Sequence, residues 1–237
     1  VLVDTYVDSD IPSEGIVTMT FDIEVEMITG IPDPTQGNNE VTSIAYHDSA
    51  TNHYTILVLD KKRKLENKTT DNKTVIPCYD EKTLLLKFID AIQEIQPHVM
   101  TGWNCDAFDI PYLHNRIKRV LGKKHANNLS VIGEMFYSPY RNRYTIGGTS
   151  VLDYMTVYKK FSYKELPSYA LNAVCMTELG RGKIEYEGNL DDLMENDIDT
   201  FIEYKEEIAA LTEADGPAVE AAARKLSLTL AKWGRKN

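Results

Sequence analysis

The sequence predicts an α/β domain, a mixed β-sheet covered by helices. Three observations lead there. Strict apolar alternation marks a strand at 17–25, two more strands follow across a short polar link, and from residue 81 helical and strand patterns alternate.

In "GIVTMTFDIEVEM", Val17, Met19, Phe21, Ile23 and Val25 alternate with Thr18, Thr20, Asp22 and Glu24. "EVTSIAYHD" and "HYTILVLD" are the next two strands, joined by "SATN" as a hairpin. The polar stretch 61–74, "KKRKLENKTTDNKT", reads as a solvated loop. "EKTLLLKFIDAIQEIQ" carries Leu85, Phe88, Ile92 and Ile95 on one helical stripe. "PHVMTGWN" is a short buried strand, and "FDIPYLHNRIKRVLG" a helix that tolerates Pro111 in its first turn and stops at Gly122. A short hairpin within "SVIGEMFYSPYRNRYTIGG" precedes a last strand at 149–153. "DYMTVYKKF", "LPSYALNAVCMTEL" and "DDLMENDIDTFIEYKEEIAAL" are then helices. The tail from 205 carries a net charge of +1 against −11 for residues 1–204. In it Val219, Ala222, Leu226, Leu230 and Trp233 line one face of an amphipathic helix.

Composition excludes several classes. No apolar run approaches the roughly 18–20 residues that span a bilayer. The start lacks both an initiator Met and the pattern of a signal peptide, which predicts a piece of a longer protein. Cys78, Cys105 and Cys175 are far apart and odd in number, which argues against a disulfide framework and for a reducing, cytoplasmic setting. The net charge of −10 argues against a protein that coats DNA through its phosphates. It fits an enzyme whose acids gather cations and which meets only a strand end. The five histidines show no ligand spacing, and the basic run at 115–124 reads as a solvated face.

Asp22 and Glu24 point to the same face of their strand, about 7 Å apart. Two like charges so placed are unfavourable to desolvate unless a cation joins them, and hard oxygen ligands select Mg²⁺ or Mn²⁺. By itself the pair also fits a solvent-facing strand edge. A second element, "TGWNCDAFDIPYL", places Asn104, Phe108 and Asp109 around a strand-to-helix turn. An Asp there is often only a helix cap. At the carboxyl end of a strand beside the first, it would instead complete an oxygen cage for two metals.

"TFDIEVEM", "TGWNCDAFDIPYLHNRIKRVLG" and "SVLDYMTVYKKFSYKELPSYALNAV" resemble the 3′–5′ exonuclease (proofreading) domain of family B DNA polymerases, with the replicative polymerases of large tailed phages the nearest in kind. The resemblance implies a ribonuclease-H-like fold over residues 1–204, to which the tail pattern adds a carboxy-terminal amphipathic helix. It divides the chain into a lead-in at 1–15, a DEDD-type exonuclease domain at 16–204 and a helical tail at 205–237. It implies that Asp22, Glu24 and Asp109 hold two divalent metal ions, Mg²⁺ or Mn²⁺, that Tyr204 positions the attacking water, and that Asn104 and Phe108 contact substrate. The implied substrate is a single-stranded or frayed 3′ end of DNA. The implied partner is the remainder of a polymerase or another replication subunit. The implied setting is the cytoplasm, that of the host for a phage protein.

One position departs from the family pattern. The third motif, Y-x-x-x-D, expects an acid four residues after Tyr204, where the two side chains share a helical face. Here that position is Ile208. The departure raises an alternative: a catalytically impaired module that binds single-stranded DNA or serves as a structural piece of a split polymerase.

Overall fold

The computed structural model describes residues 15–28, 30–162, 165–182 and 200–204. The lead-in at 1–14, the helical reading over 191–199, and the tail from 205 with Ile208 lie outside the described residues.

β1 (Thr18–Val25), β2 (Val41–Asp48) and β3 (His53–Leu59) form an antiparallel meander. β6 (Val99–Gly102) pairs parallel on the other side of β1, and β9 (Ser150–Asp153) pairs parallel with β6. β4 (Lys68–Thr69) and β5 (Lys73–Cys78) complete a seven-stranded mixed sheet in the order β4-β5-β3-β2-β1-β6-β9. β7 (Met135–Ser138) and β8 (Arg143–Ile146) form a separate hairpin.

The helices are α1 (Glu81–Ile95), α2 (Asp109–Val120), α3 (Lys123–Asn127), α4 (Tyr154–Phe161) and α5 (Leu171–Glu178). Asp80 caps α1, its carboxylate accepting from the Thr83 amide at 2.9 Å. The apolar face of β1, from Met19 to Val25, packs with Leu84, Leu85, Phe88 and Ile92 of α1 and Ile110, Leu113 and Ile117 of α2. Phe88 lies 5.9 Å from Phe21 and 6.1 Å from Tyr46 between ring centroids. The mixed sheet flanked by helices agrees with the sequence expectation.

Three sequence readings are corrected. The stretch 61–74 is not all loop, because it holds β4 and the start of β5. β5 is short, polar at its start and interrupted by Pro77, so its pattern is hidden. Its partner β3 supplies the pairing, with Pro77 opposite Val58, and on the other edge β4 reaches only Thr74 and Val75, so no strand flanks Pro77 on that side. The helix expected across 166–179 begins only at Leu171. Before it, the Trp103 indole donates to the Tyr169 carbonyl at 3.0 Å, and Ser168 accepts from the Ala170 amide, which holds the segment extended. Lastly, the basic run at 115–124 is not simply a solvated face, since Arg116 is buried.

Gly102 ends β6 where the chain passes closest to the acid-bearing strand. A Cβ there would stand 2.6 Å from the Phe21 carbonyl oxygen and 3.1 Å from the Cys105 Cβ. Gly102→Ala is expected to push β1 from β6 and lower stability by about 1–3 kcal/mol. A urea midpoint equal to that of the wild type would contradict this close approach.

Candidate active site

Asp22 and Glu24 lie in mid-strand, partly exposed, on the face opposite the α1–α2 core. The ladder carries that face across the sheet. Asp22 pairs with Ala45, Ala45 with Ile56, and Ile56 with Val75, and directly paired residues share a face. The register slips immediately after Glu24, which pairs with Ser43 while Val25 pairs with Val41. Such a bulge bends the strand end and re-aims its side chains.

Beyond Thr20 and Thr101, β1 and β6 part company. The edge of β1 opened in this way is met by α2. Oδ1 of Asp109 accepts the Ile23 amide at 3.2 Å, a buried bond made between the two acid-bearing positions. This carboxylate, at the first residue of α2, reaches across to the strand.

The turn that delivers Asp109 is built by Asn104 and Phe108. Asn104 adopts φ +65°, a left-handed conformation that Asn tolerates, and its carbonyl accepts from the amides of Ala107 and Phe108, both at 3.1 Å. Phe108 stacks on Tyr112 with centroids 5.6 Å apart and packs against the core, so part of its role is to seat α2.

Tyr204 is buried in the helical turn 200–204. Its neighbours Phe201 and Ile202 pack with Ala45, Ile56, Val58 and Val75. By the register above, that is the face carrying Asp22 and Glu24. Tyr204 thus comes from a turn that packs over β2, β3 and β5, on the same face of the sheet as Asp22 and Glu24.

Sequence reasoning missed the supports behind this arrangement. Asp153, buried at the end of β9, accepts from the amides of Asp106 and Thr156, both at 3.0 Å, and so ties the Asn104 turn to the start of α4. Asp106 meets Arg143 of the hairpin at 3.3 Å, and burial pushes its carboxyl above the usual range. Burial also pushes the Cys105 thiol well above its ordinary value, and the charges of Asp109, Asp153 and Asp106 push it the same way. Cys105 stays a thiol, which removes it as a nucleophile. Of the hairpin tyrosines, Tyr144 packs on His114 at 4.6 Å and on Tyr137 at 5.4 Å, while Tyr140 is 97% exposed.

Among the described residues, no group of three or more His, Cys, Asp or Glu stands close enough to ligate one metal ion. Asp22 and Glu24 on β1, with Asp109 bonded to the amide between them, are carboxylates, the oxygen donors that suit a hard divalent cation. None of the described helices is long and apolar enough to cross a membrane.

The family model for the exonuclease domain of DNA polymerase family B matches residues 1–174. The chain belongs to this family. Among curated proteins, this family B exonuclease domain is 33% identical to the DNA-directed DNA polymerase of Escherichia phage RB69 over 78% of this chain and 23% of that protein. It is 31% identical to the DNA-directed DNA polymerase of Enterobacteria phage T4 over 77% of this chain and 23% of that one. It is also 30% identical to the DNA polymerase delta catalytic subunit of Caenorhabditis elegans, over 53% of this chain and 13% of that protein. The exonuclease domain thus spans less than a quarter of the length of the phage polymerases it matches.

Proposed function

We propose that this domain removes 3′-terminal nucleotides from single-stranded or frayed DNA, as the proofreading part of a replicative family B polymerase. The observation that carries the reading is the Asp109–Ile23 bond, which sets a third carboxylate between Asp22 and Glu24 in a chain of this family. The strand order β3-β2-β1-β6-β9 supports a ribonuclease-H-like sheet for the domain.

Asp22, Glu24 and Asp109 would hold two divalent ions, Mg²⁺ or Mn²⁺. Such ions, when bound, stabilise the attacking and leaving oxygens of a phosphodiester displacement. The protein's own contributions are three. The carboxylates sit on a rigid central strand and a helix start, so their spacing is preset. The Tyr204 hydroxyl orients the attacking water. Asn104 and Phe108 shape the turn against which the terminal nucleotide rests, Phe108 offering a ring face on which a base can stack. An unpaired end is selected because a paired terminus must first be melted. The products are nucleoside monophosphates. The partner is the rest of the polymerase or another replication subunit, in the cytoplasm. The three buried cysteines, Cys78, Cys105 and Cys175, fit a reducing compartment.

The test is a 5′-labelled single-stranded oligonucleotide incubated with the chain and Mg²⁺ or Mn²⁺. Stepwise shortening from the 3′ end, stopped by chelation, is the expected result. Ile208 favours a second reading, a module that holds 3′ ends without cutting them. Ile208→Asp separates the two. A folded wild type that binds the oligonucleotide without shortening it, while the variant shortens it, would establish the second.

A further inference from the structure

The loop joining β1 to β2 continues directly from the strand that carries Asp22 and Glu24, and side chains of α2 hold it along its length. The Tyr112 hydroxyl accepts from the Asn39 amide at 2.9 Å and donates to the Asn39 carbonyl at 2.8 Å. Asn115 donates to Pro34 at 3.0 Å, and Arg119 to Gln36 at 3.2 Å. Arg116 does most. Its Nη1 donates to the carbonyls of Gly37 and Asn38 at 3.3 and 2.7 Å, while Nε and Nη2 grip Glu81 at 2.7 and 2.6 Å. Glu81 in turn accepts the amide of Val41, the first residue of β2, at 2.8 Å. Both side chains of the pair are under a tenth exposed. The loop lies so close that a Cβ at Gly37, where φ is +56°, would stand 2.7 Å from the Arg116 nitrogen. One guanidinium thus joins α2 to the loop and, through Glu81, to α1 and β2.

Asp109 and Arg116 are seven residues apart on α2, so they face nearly the same way, roughly 10 Å apart along the axis. At one end of that line Arg116 grips the loop beyond Glu24. At the other, Asp109 meets the amide of Ile23. A slide or rotation of α2 would break both.

We propose that Arg116, locked by Glu81, is a positioning residue that sets the register of α2 against β1 and so keeps the Asp109 carboxylate between Asp22 and Glu24. The fork geometry is what qualifies it: a planar guanidinium addresses four acceptors at fixed angles, which an ammonium on a flexible stem does not. The proposal rests on the reading of Asp109 as the third acid, and its test does not depend on catalysis.

Hydrogen exchange of the Ile23 amide, followed by NMR in the full chain, reads the Asp109 bond directly. In Arg116→Lys, which keeps a positive charge opposite Glu81, exchange at Ile23 is expected to accelerate at least about tenfold more than at Ile56 and Phe88, whose exchange reports the global loss of stability. Glu81→Gln, which keeps the acceptor for Val41 and weakens the grip on Arg116, serves if the first variant does not fold, with the same selectivity expected. No acceleration at Ile23, or one matched at Ile56 and Phe88, would overturn the proposal, because either result makes the pair a general stabiliser. In the oligonucleotide assay, the positioning role lowers kcat and leaves KM near the wild-type value. A wild type that shortens nothing would sink the nuclease reading, while the exchange result would still decide the role of Arg116.

Discussion

Asp22→Ala is expected to reduce 3′-end shortening by on the order of 10³-fold or more, about 4 kcal/mol of transition-state stabilisation. The carboxylate stands in mid-strand on the face that Phe201 and Ile202 help to cover, and Asp109 approaches one residue away. Removing it takes away one of the three carboxylates proposed to hold the two ions. Because Asp22 is only partly buried, the thermal midpoint should stay within a few degrees of the wild type, on the order of 1 kcal/mol or less. Measured together, initial rates on a 5′-labelled oligonucleotide and a thermal melt separate chemistry from folding. A variant that melts like the wild type and shortens DNA at a similar rate would remove Asp22 from the site.

Glu81→Ala acts on stability. It strips a buried guanidinium of its only ion-pair partner among the described residues and leaves the Val41 amide without its acceptor. Breaking such a pair from one side destabilises by about 3–5 kcal/mol. For a chain of this size that is a fall in Tm of roughly 6–20 °C. Replacing both members, as in Glu81→Met with Arg116→Met, should recover much of the loss, since no buried charge then remains unpaired. A single-variant loss under about 1 kcal/mol would mean that water reaches the guanidinium and solvates it.

Much of the site was legible in local sequence. Asp22 and Glu24 stand out because acids at alternate positions interrupt a strand whose other face, Met19 to Val25, is wholly apolar. Asn104, Phe108 and Asp109 stand out because Gly102 and Asn104 punctuate the passage from a strand to a helix. These signals are local, read within a few residues by period and turn chemistry. Less legible was β5, whose pattern is broken by Pro77 and whose strand character comes from β3 alongside it.

Side-chain periodicity and backbone preference over short spans dictate the α/β character, the meander, the acid-bearing strand and the turn that follows β6, and all four can be read from the amino-acid sequence. Long-range packing settles the rest. It brings the Asp109 carboxylate to the Ile23 amide. It seats the turn of Tyr204 on the face of Asp22, and it selects Arg116, one basic residue in a basic run, for burial against Glu81. In each case the deciding partner lies 35 or more residues away in the chain. Such contacts depend on which strand edge is left open and which helix end reaches it, and no local pattern records that.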